Sequence, residues 1–213
     1  MPTADLSQPV QSGMPTFPGD PPVVVDAHAT MAADGYRVTE LGCGSHTGTH
    51  IDAPAHTEPG GRTIDDFPVS RFVRDAVLVD LRGLPPRGRI RPADLPTADA
   101  GAVVVRTGWA DHWGDSTYFD HPFLTAAAAR HCAAHGYDVA VDALNVDPTP
   151  TDTAGNDEPD GIPAHHELLG SGQLIVENCT NLGSVPDQFE LAVYPLPLAD
   201  GDGAPVRAVA RWD

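Results

Sequence analysis

Basic residues are scarce. Twelve arginines and lysines stand against 30 acidic residues in a chain of 213, a formal charge of −18. Phosphate backbones are gripped by clustered Lys and Arg, so nucleic acid is excluded as a partner. Docking on an anionic membrane surface is excluded on the same ground. No apolar run reaches the length of about eighteen residues that a membrane-spanning helix needs. Met1 to Val10 carries neither a basic n-region nor an apolar h-region, so the expected location is the cytoplasm. Cysteine is sparse: Cys43, Cys132 and Cys179 are odd in number, far apart and never in a C-x-x-C pair. That pattern suits reduced, buried thiols and argues against a disulfide framework or a zinc ribbon. With no G-x-S-x-G elbow and no P-loop, acyl-serine and phosphate-binding chemistries have no starting point.

Enough apolar material remains, 41% of the chain, for one well-cored domain over residues 1–213. The 21 glycines and 22 prolines are spread throughout, which leaves room only for short elements, many of them strands. Strands are expected at Pro22 to Ala27, Ala76 to Leu81, Ala102 to Thr107, Asp138 to Val141, Leu174 to Glu177 and Phe189 to Tyr194. Those starting at Ala76, Ala102, Asp138 and Leu174 carry β-branched apolar runs typical of strands buried on both faces. Thr125 to Gly136 reads as a helix, with Thr125 as N-cap and Gly136 as stop. A shorter helix is expected through His165 to Leu169 and a single turn at Pro92 to Leu95. The fold class is therefore a mixed α/β single domain with more strand than helix.

One segment concentrates chemistry: Ser45-His46-Thr47-Gly48-Thr49-His50-Ile51-Asp52-Ala53-Pro54-Ala55-His56. Imidazole nitrogens and a carboxylate are donors that suit zinc and manganese. Gly48, Thr49, Ile51 and Pro54 disfavour a helix here. As an extended segment, it would turn His46, Gly48, His50 and Asp52 to one face, with Gly48 leaving room for an ion or substrate and Pro54 swinging His56 back. Packing these groups together without a cation would crowd donors and strand buried polar atoms.

The segment resembles the H-x-G-T-H-x-D-x-P-x-H signature of the metal-dependent cyclase family, which includes bacterial kynurenine formamidase and isatin hydrolase. The likeness continues in Asp5 to Pro9, Gly13 to Asp20, Arg106-Thr107-Gly108, Val141 to Asp147, Ile175 to Asn178 and Pro205 to Val209, in family order along nearly the whole chain. It implies a swivelling β/β/α fold with a mixed sheet, assembled as a homodimer or homotetramer. It further implies that His46, His50 and Asp52 hold a first divalent metal, and that His56 is the catalytic base. The family's second metal uses a histidine and a glutamate twelve residues apart, bridged to the first by the motif aspartate. His165 and Glu177 have that separation, although the adjacent His166 competes for the role. Zinc is the expected ion and manganese the alternative, with one or two per chain.

The resemblance implies hydrolysis of a small aromatic or cyclic amide, as in an arylformamidase, by water activated on the metal, with His56 moving the proton. Cyclisation, dehydration, or lactone and lactam opening in a biosynthetic pathway would use the same groups. A binding module without turnover would be expected to lack His56. Phe17 stands where formamidases carry a tryptophan and offers a ring against which an aromatic substrate can stack. Trp109, Trp113, Tyr118 and Phe119 read either as pocket wall or as subunit contact. The Pro-, Gly- and acid-rich stretch 149–161 reads either as a lid or as a plain surface loop.

Overall fold

A computed structural model describes all residues, 1–213. It contains twelve strands: β1 (Thr3–Asp5), β2 (Val24–Ala29), β3 (Val38–Gly42), β4 (His50–Asp52), β5 (Val73–Asp80), β6 (Arg89–Ile90), β7 (Ala102–Arg106), β8 (Phe123–Leu124), β9 (Asp138–Val141), β10 (Ile175–Glu177), β11 (Gln188–Pro195) and β12 (Gly203–Arg211). Three helices, α1 (Met31–Asp34), α2 (Ala126–His135) and α3 (Pro163–Leu169), and several single 3-10 turns complete the α/β fold.

Eight strands form one mixed sheet in the order β1-β12-β11-β5-β7-β9-β10-β4. Strands β5, β7, β9 and β10 run parallel, β11 and β4 flank them antiparallel, and β12 is antiparallel to both β11 and β4. Pairing of β12 with β4 closes the sheet into a barrel-like ring. Alternation along each strand then produces two cores. One gathers Ile51, Ala102, Val104, Ala140, Val176, Leu191, Val193, Ala208 and Ala210 from all round the ring, which places it inside. The other lies on the outer face, where Val103, Val105, Val139, Val141 and Ile175 pack under α2 and α3.

Local chemistry accounts for the helices. The Thr125 hydroxyl accepts from Ala128 N at 3.2 Å, and Gly136 ends α2 at φ +74°. Helix α3 begins at Pro163, two residues before the expected start, because proline loses nothing at a first helical position. Its opening amides are capped from a distance: Asp147 accepts from Ala164 N (2.8 Å) and His165 N (2.9 Å).

Three expectations are corrected. First, residues 46–52 are not one extended ladder. Only His50–Asp52 is a strand, and Gly48 turns the chain at φ +60°, bringing His46 back over the site. Gly48 lines the cavity beside these groups, and a side chain there would meet Met14 Cε at 3.1 Å. Second, β5 is only partly buried, unlike β7, β9 and β10. Third, no strand was expected at β12: among its Gly, Ala, Pro and Arg residues the only β-branched ones are Val206 and Val209, three apart, and it forms through pairing with β11 and β4.

Candidate metal centre

The register of two short strands assembles most of the site. Strand β4 turns His50 and Asp52 to one face and sends Ile51 into the inner core. Strand β10 lies antiparallel beside it, with Glu177 directly opposite His50 and Ile175 opposite Asp52. His165 reaches the same face from α3, and His46 folds over it from the Gly48 turn. His50, Asp52, His165 and Glu177 are all buried.

Asp52 lies at the centre. Its Oδ1 is 2.8 Å from His46 Nδ1 and 3.3 Å from His50 Nε2. Its Oδ2 is 3.6 Å from His165 Nε2, which is 3.6 Å from Glu177 Oε1. His50 Nε2 is also 3.4 Å from Glu177 Oε2. Two donor groups thus share Asp52: His46, His50 and Asp52 on one side, Asp52, His165 and Glu177 on the other.

The outer ring nitrogens determine what the inner ones can do. His50 Nδ1 donates to the Gly48 carbonyl at 2.8 Å, and a carbonyl can only accept. His165 Nδ1 donates to Asp147 at 2.8 Å, and His46 Nε2 to Asp202 at 3.0 Å. With the outer nitrogens committed as donors, the inner nitrogens face carboxylate oxygens and need positive charge between them, supplied by ring protons or by a bound cation that takes their place. The Oδ2 atom of Asp52 is fully buried with no hydrogen-bond partner, which a cation would supply. Donors around a tetrahedral ion at about 2.0–2.1 Å stand about 3.3 Å apart, close to the spacing here. The donor set therefore fits a divalent metal, and its histidines are oriented as ligating histidines usually are.

The field of these carboxylates is also visible in proton affinity. Burial by itself would depress His165, yet Asp147, Asp52 and Glu177 lift its pKa to about 10. His50 is likewise raised against burial by Asp52 and Glu177. Burial opposes ionisation of Asp52, but His50, His46 and His165 hold its carboxyl well below the usual range. His56 behaves differently. Burial is its largest influence and lowers its pKa, so the ring is neutral at neutral pH. It lies against His46 with ring centroids 3.9 Å apart and the rings tilted by 38°, and its side chain makes no hydrogen bond to protein.

These groups open into a cavity of about 250 Å³, walled by Pro15, Phe17, Leu144, Asn145 and Ile162 and edged by Asp20. Two wider grooves elsewhere contain no histidine.

The Cyclase family model matches residues 4–148. The chain belongs to the cyclase family. The kynurenine formamidase of Geobacillus thermodenitrificans is 31% identical to this cyclase-family chain over 214 residues, covering 99% of it and 97% of the relative. That of Salinibacter ruber is 34% identical over 216 residues, covering 97% and 96%. An isatin hydrolase bound to the product analogue thioisatinate shares the fold with a TM-score of 0.85 at 22% identity, covering 98% of this chain and 91% of that one. A potential metal-dependent hydrolase with cyclase activity matches at a TM-score of 0.77 and 27% identity, covering 98% and 96%.

Within this cyclase-family structure the expected residues have distinct places. His46, His50, Asp52, His165 and Glu177 come together, with His56 and Phe17 on the cavity wall. His166 is exposed and faces Glu58 at 2.8 Å, outside the cluster. Trp109 and Tyr118 are core residues, and Trp113 and Phe119 pack against the same core, so none of the four lines the cavity. The stretch 149–161 is tied down by Arg87, which donates to Thr149 O (3.0 Å), Thr151 (3.0 Å) and Glu158 (2.6 Å), and by an Arg89–Asp157 pair at 2.8 Å.

Three residues beyond the expected set also shape the site: Asp147, Asp202 and Asn178. Asn178, at φ +59°, donates from Nδ2 to the same Gly48 carbonyl that holds His50, and Tyr118 donates to its Oδ1 at 2.7 Å. Asp147 and Asn178 stand in the quoted stretches Val141 to Asp147 and Ile175 to Asn178, a positional signal without a role. Asp202, in Asp200-Gly201-Asp202-Gly203, reads as an ordinary turn and carries no signal.

Proposed function

We propose that this protein is a metal-dependent hydrolase of a small aromatic or cyclic amide, acting on C–N bonds other than peptide bonds. The observation that carries the reading is the set of three histidines whose outer N–H groups are committed to acceptors while their inner nitrogens converge on Asp52 and Glu177. Resemblance to kynurenine formamidases along nearly the full chain supports the substrate class.

His46, His50 and Asp52 would hold one ion, and Asp52, His165 and Glu177 a second. A divalent metal there polarises a carbonyl and lowers the pKa of water to roughly 7. The side chains supply the rest. Asp52, shared by both donor groups, sets their separation. His56, neutral and without a protein partner, takes the proton of the attacking water and returns it to the leaving nitrogen. Phe17 offers its ring as a stacking wall, and the 250 Å³ cavity suits one small ring system. Zinc is proposed as the ion, with manganese as the alternative. The cytoplasm is the proposed location. The proposed assembly is a homodimer or homotetramer, in keeping with Met31, Tyr36 and Leu41 exposed on and beside the β2–β3 ribbon.

Formate release from N-formylkynurenine and ring opening of isatin, followed by absorbance on metal-loaded protein, test the reading. Turnover of at least one is expected, with a loss of about 10²–10⁴-fold in kcat for His56→Ala and no loss of bound metal. Turnover of neither would contradict the amide reading. The search would then move to lactones and ring-closing or dehydrating reactions.

A further inference from the structure

His46 and His56 lie ring against ring, tilted by 38°, and one carboxylate stands beside both. Asp202 Oδ2 lies 3.0 Å from His46 Nε2 and 3.6 Å from His56 Nδ1. No other acidic side chain stands within 4 Å of His56. Asp202 is itself placed by the fold. Its backbone carbonyl accepts from Ala53 N at 2.9 Å, and the next residue, Gly203, pairs with Asp52 across β12 and β4. The His46 ring lies close against that glycine: a Cβ at Gly203 would lie 2.6 Å from His46 Cε1 and 2.9 Å from the Ile51 carbonyl. The start of β12 thus forms a seat for His46 and carries the carboxylate that reaches past it to His56.

We propose that Asp202 is a positioning residue acting on both rings at once. By accepting the His46 Nε2–H it commits Nδ1 of that ring to the metal side of Asp52. Its charge, 3.6 Å from His56 Nδ1 and just beyond hydrogen-bond reach, favours the N–H on that nitrogen and leaves Nε2 as the basic one. When His56 takes a proton at Nε2, the imidazolium keeps its Nδ1–H beside the Asp202 carboxylate, which stabilises the charge until the proton passes to the leaving nitrogen. Such a role couples metal retention and proton transfer through one residue outside the donor set. It rests on the reading of His46 as a ligand and His56 as the base.

The test is Asp202→Asn and Asp202→Ala in the full-length, metal-loaded protein. Metal affinity is read by competition with a chromophoric zinc chelator, and kcat and KM are read on whichever amide the parent turns over. Outer carboxylates of this kind are worth about 10–100-fold in metal affinity or activity. Both variants are expected to bind zinc about tenfold more weakly or worse, and at saturating zinc to lose about tenfold or more in kcat with KM nearly unchanged. Asp202→Glu, which retains the carboxylate, should recover part of each loss. In a His56→Ala background, Asp202→Ala should cost no further kcat while still weakening zinc. Unchanged zinc affinity, or unchanged kcat at saturating zinc, in Asp202→Asn overturns the shared role. If the alanine variant fails to fold, the near-isosteric asparagine variant decides. Full activity in His56→Ala alone would instead remove the base assignment and leave the zinc measurement to judge the His46 half.

Discussion

Asp147 illustrates how much of the site depends on residues that touch no ion. Its carboxylate caps two amides of α3 and accepts from His165 Nδ1, so one buried group sets both the helix and the tautomer of a donor. In Asp147→Asn the oxygen can still cap Ala164 N, but the NH₂ then faces both the His165 backbone N–H and His165 Nδ1, which share Oδ2 in the parent. The imidazole then exchanges tautomers and turns an N–H towards Asp52. We expect metal affinity to fall about 10–100-fold, read by chelator competition, and metal-free protein to lose about 1–3 kcal/mol from the stranded His165 amide. Unchanged affinity would show that the Nδ1 contact does not set the tautomer. The donors themselves were legible because three histidines and an aspartate in eleven residues are hard to reconcile with packing alone. Asp202 was not. An aspartate between two glycines has the same appearance in any surface turn, and its meaning comes from the pairing of β12 with β4.

Among the elements, strands with β-branched runs and the capped helix α2 could be read directly, because burial and capping leave local marks. Strand β12 left none, since alanine and glycine suit the crowded interior of a closed ring but carry no strand periodicity. The ladder expected over 46–52 broke at Gly48 because a turn, not an extended chain, brings His46 to the metal side. The strap 149–161 shows the same limit: its composition leaves lid and loop equivalent, whereas Arg87 and Arg89 fasten it beside Phe17 and Ile162. Hydrogen bonds from Arg87 hold the Glu158 carboxyl below its ordinary 4.5. Burial alone would raise Asp120, but Thr153, Thr151 and Arg87 outweigh it and lower its pKa. A carboxyl lowered in the folded state contributes stability that is complete above its unfolded pKa and lost as pH falls through the folded value. The strap should therefore hold at about pH 6 and loosen progressively below about 4.5. Arg87→Ala should loosen it at every pH. Hydrogen exchange over 149–161 measures both, and equal protection in the variant and the parent would show that the strap is held by other contacts.

At the scale of the whole molecule, the ring of strands buries one apolar core inside and a second beneath α2 and α3, and the proposed metal centre lies where β4, β10 and α3 meet. The fold class was readable from the spacing of apolar runs and from the resemblance. Closure of the sheet was not, because it depends on long-range register between residues 50–52 and 203–205. A buried cluster that gathers charge from four elements should couple metal binding to global stability. An ion present at about a hundred times its dissociation constant contributes about 2.7 kcal/mol. At about 2–4 °C per kcal/mol for a domain of this size, chelation should lower Tm by about 5–10 °C, read by calorimetry with and without EDTA. A Tm indifferent to chelator would separate the cluster from the stability of the fold. The most direct test of the central claim is amide turnover before and after chelation, with metal content measured on the same samples. One or two zinc or manganese ions per chain, a rate abolished by the chelator and a rate restored by the ion alone are the predicted results. A protein that binds no divalent metal even after reconstitution, or one that works equally well without it, would contradict the account.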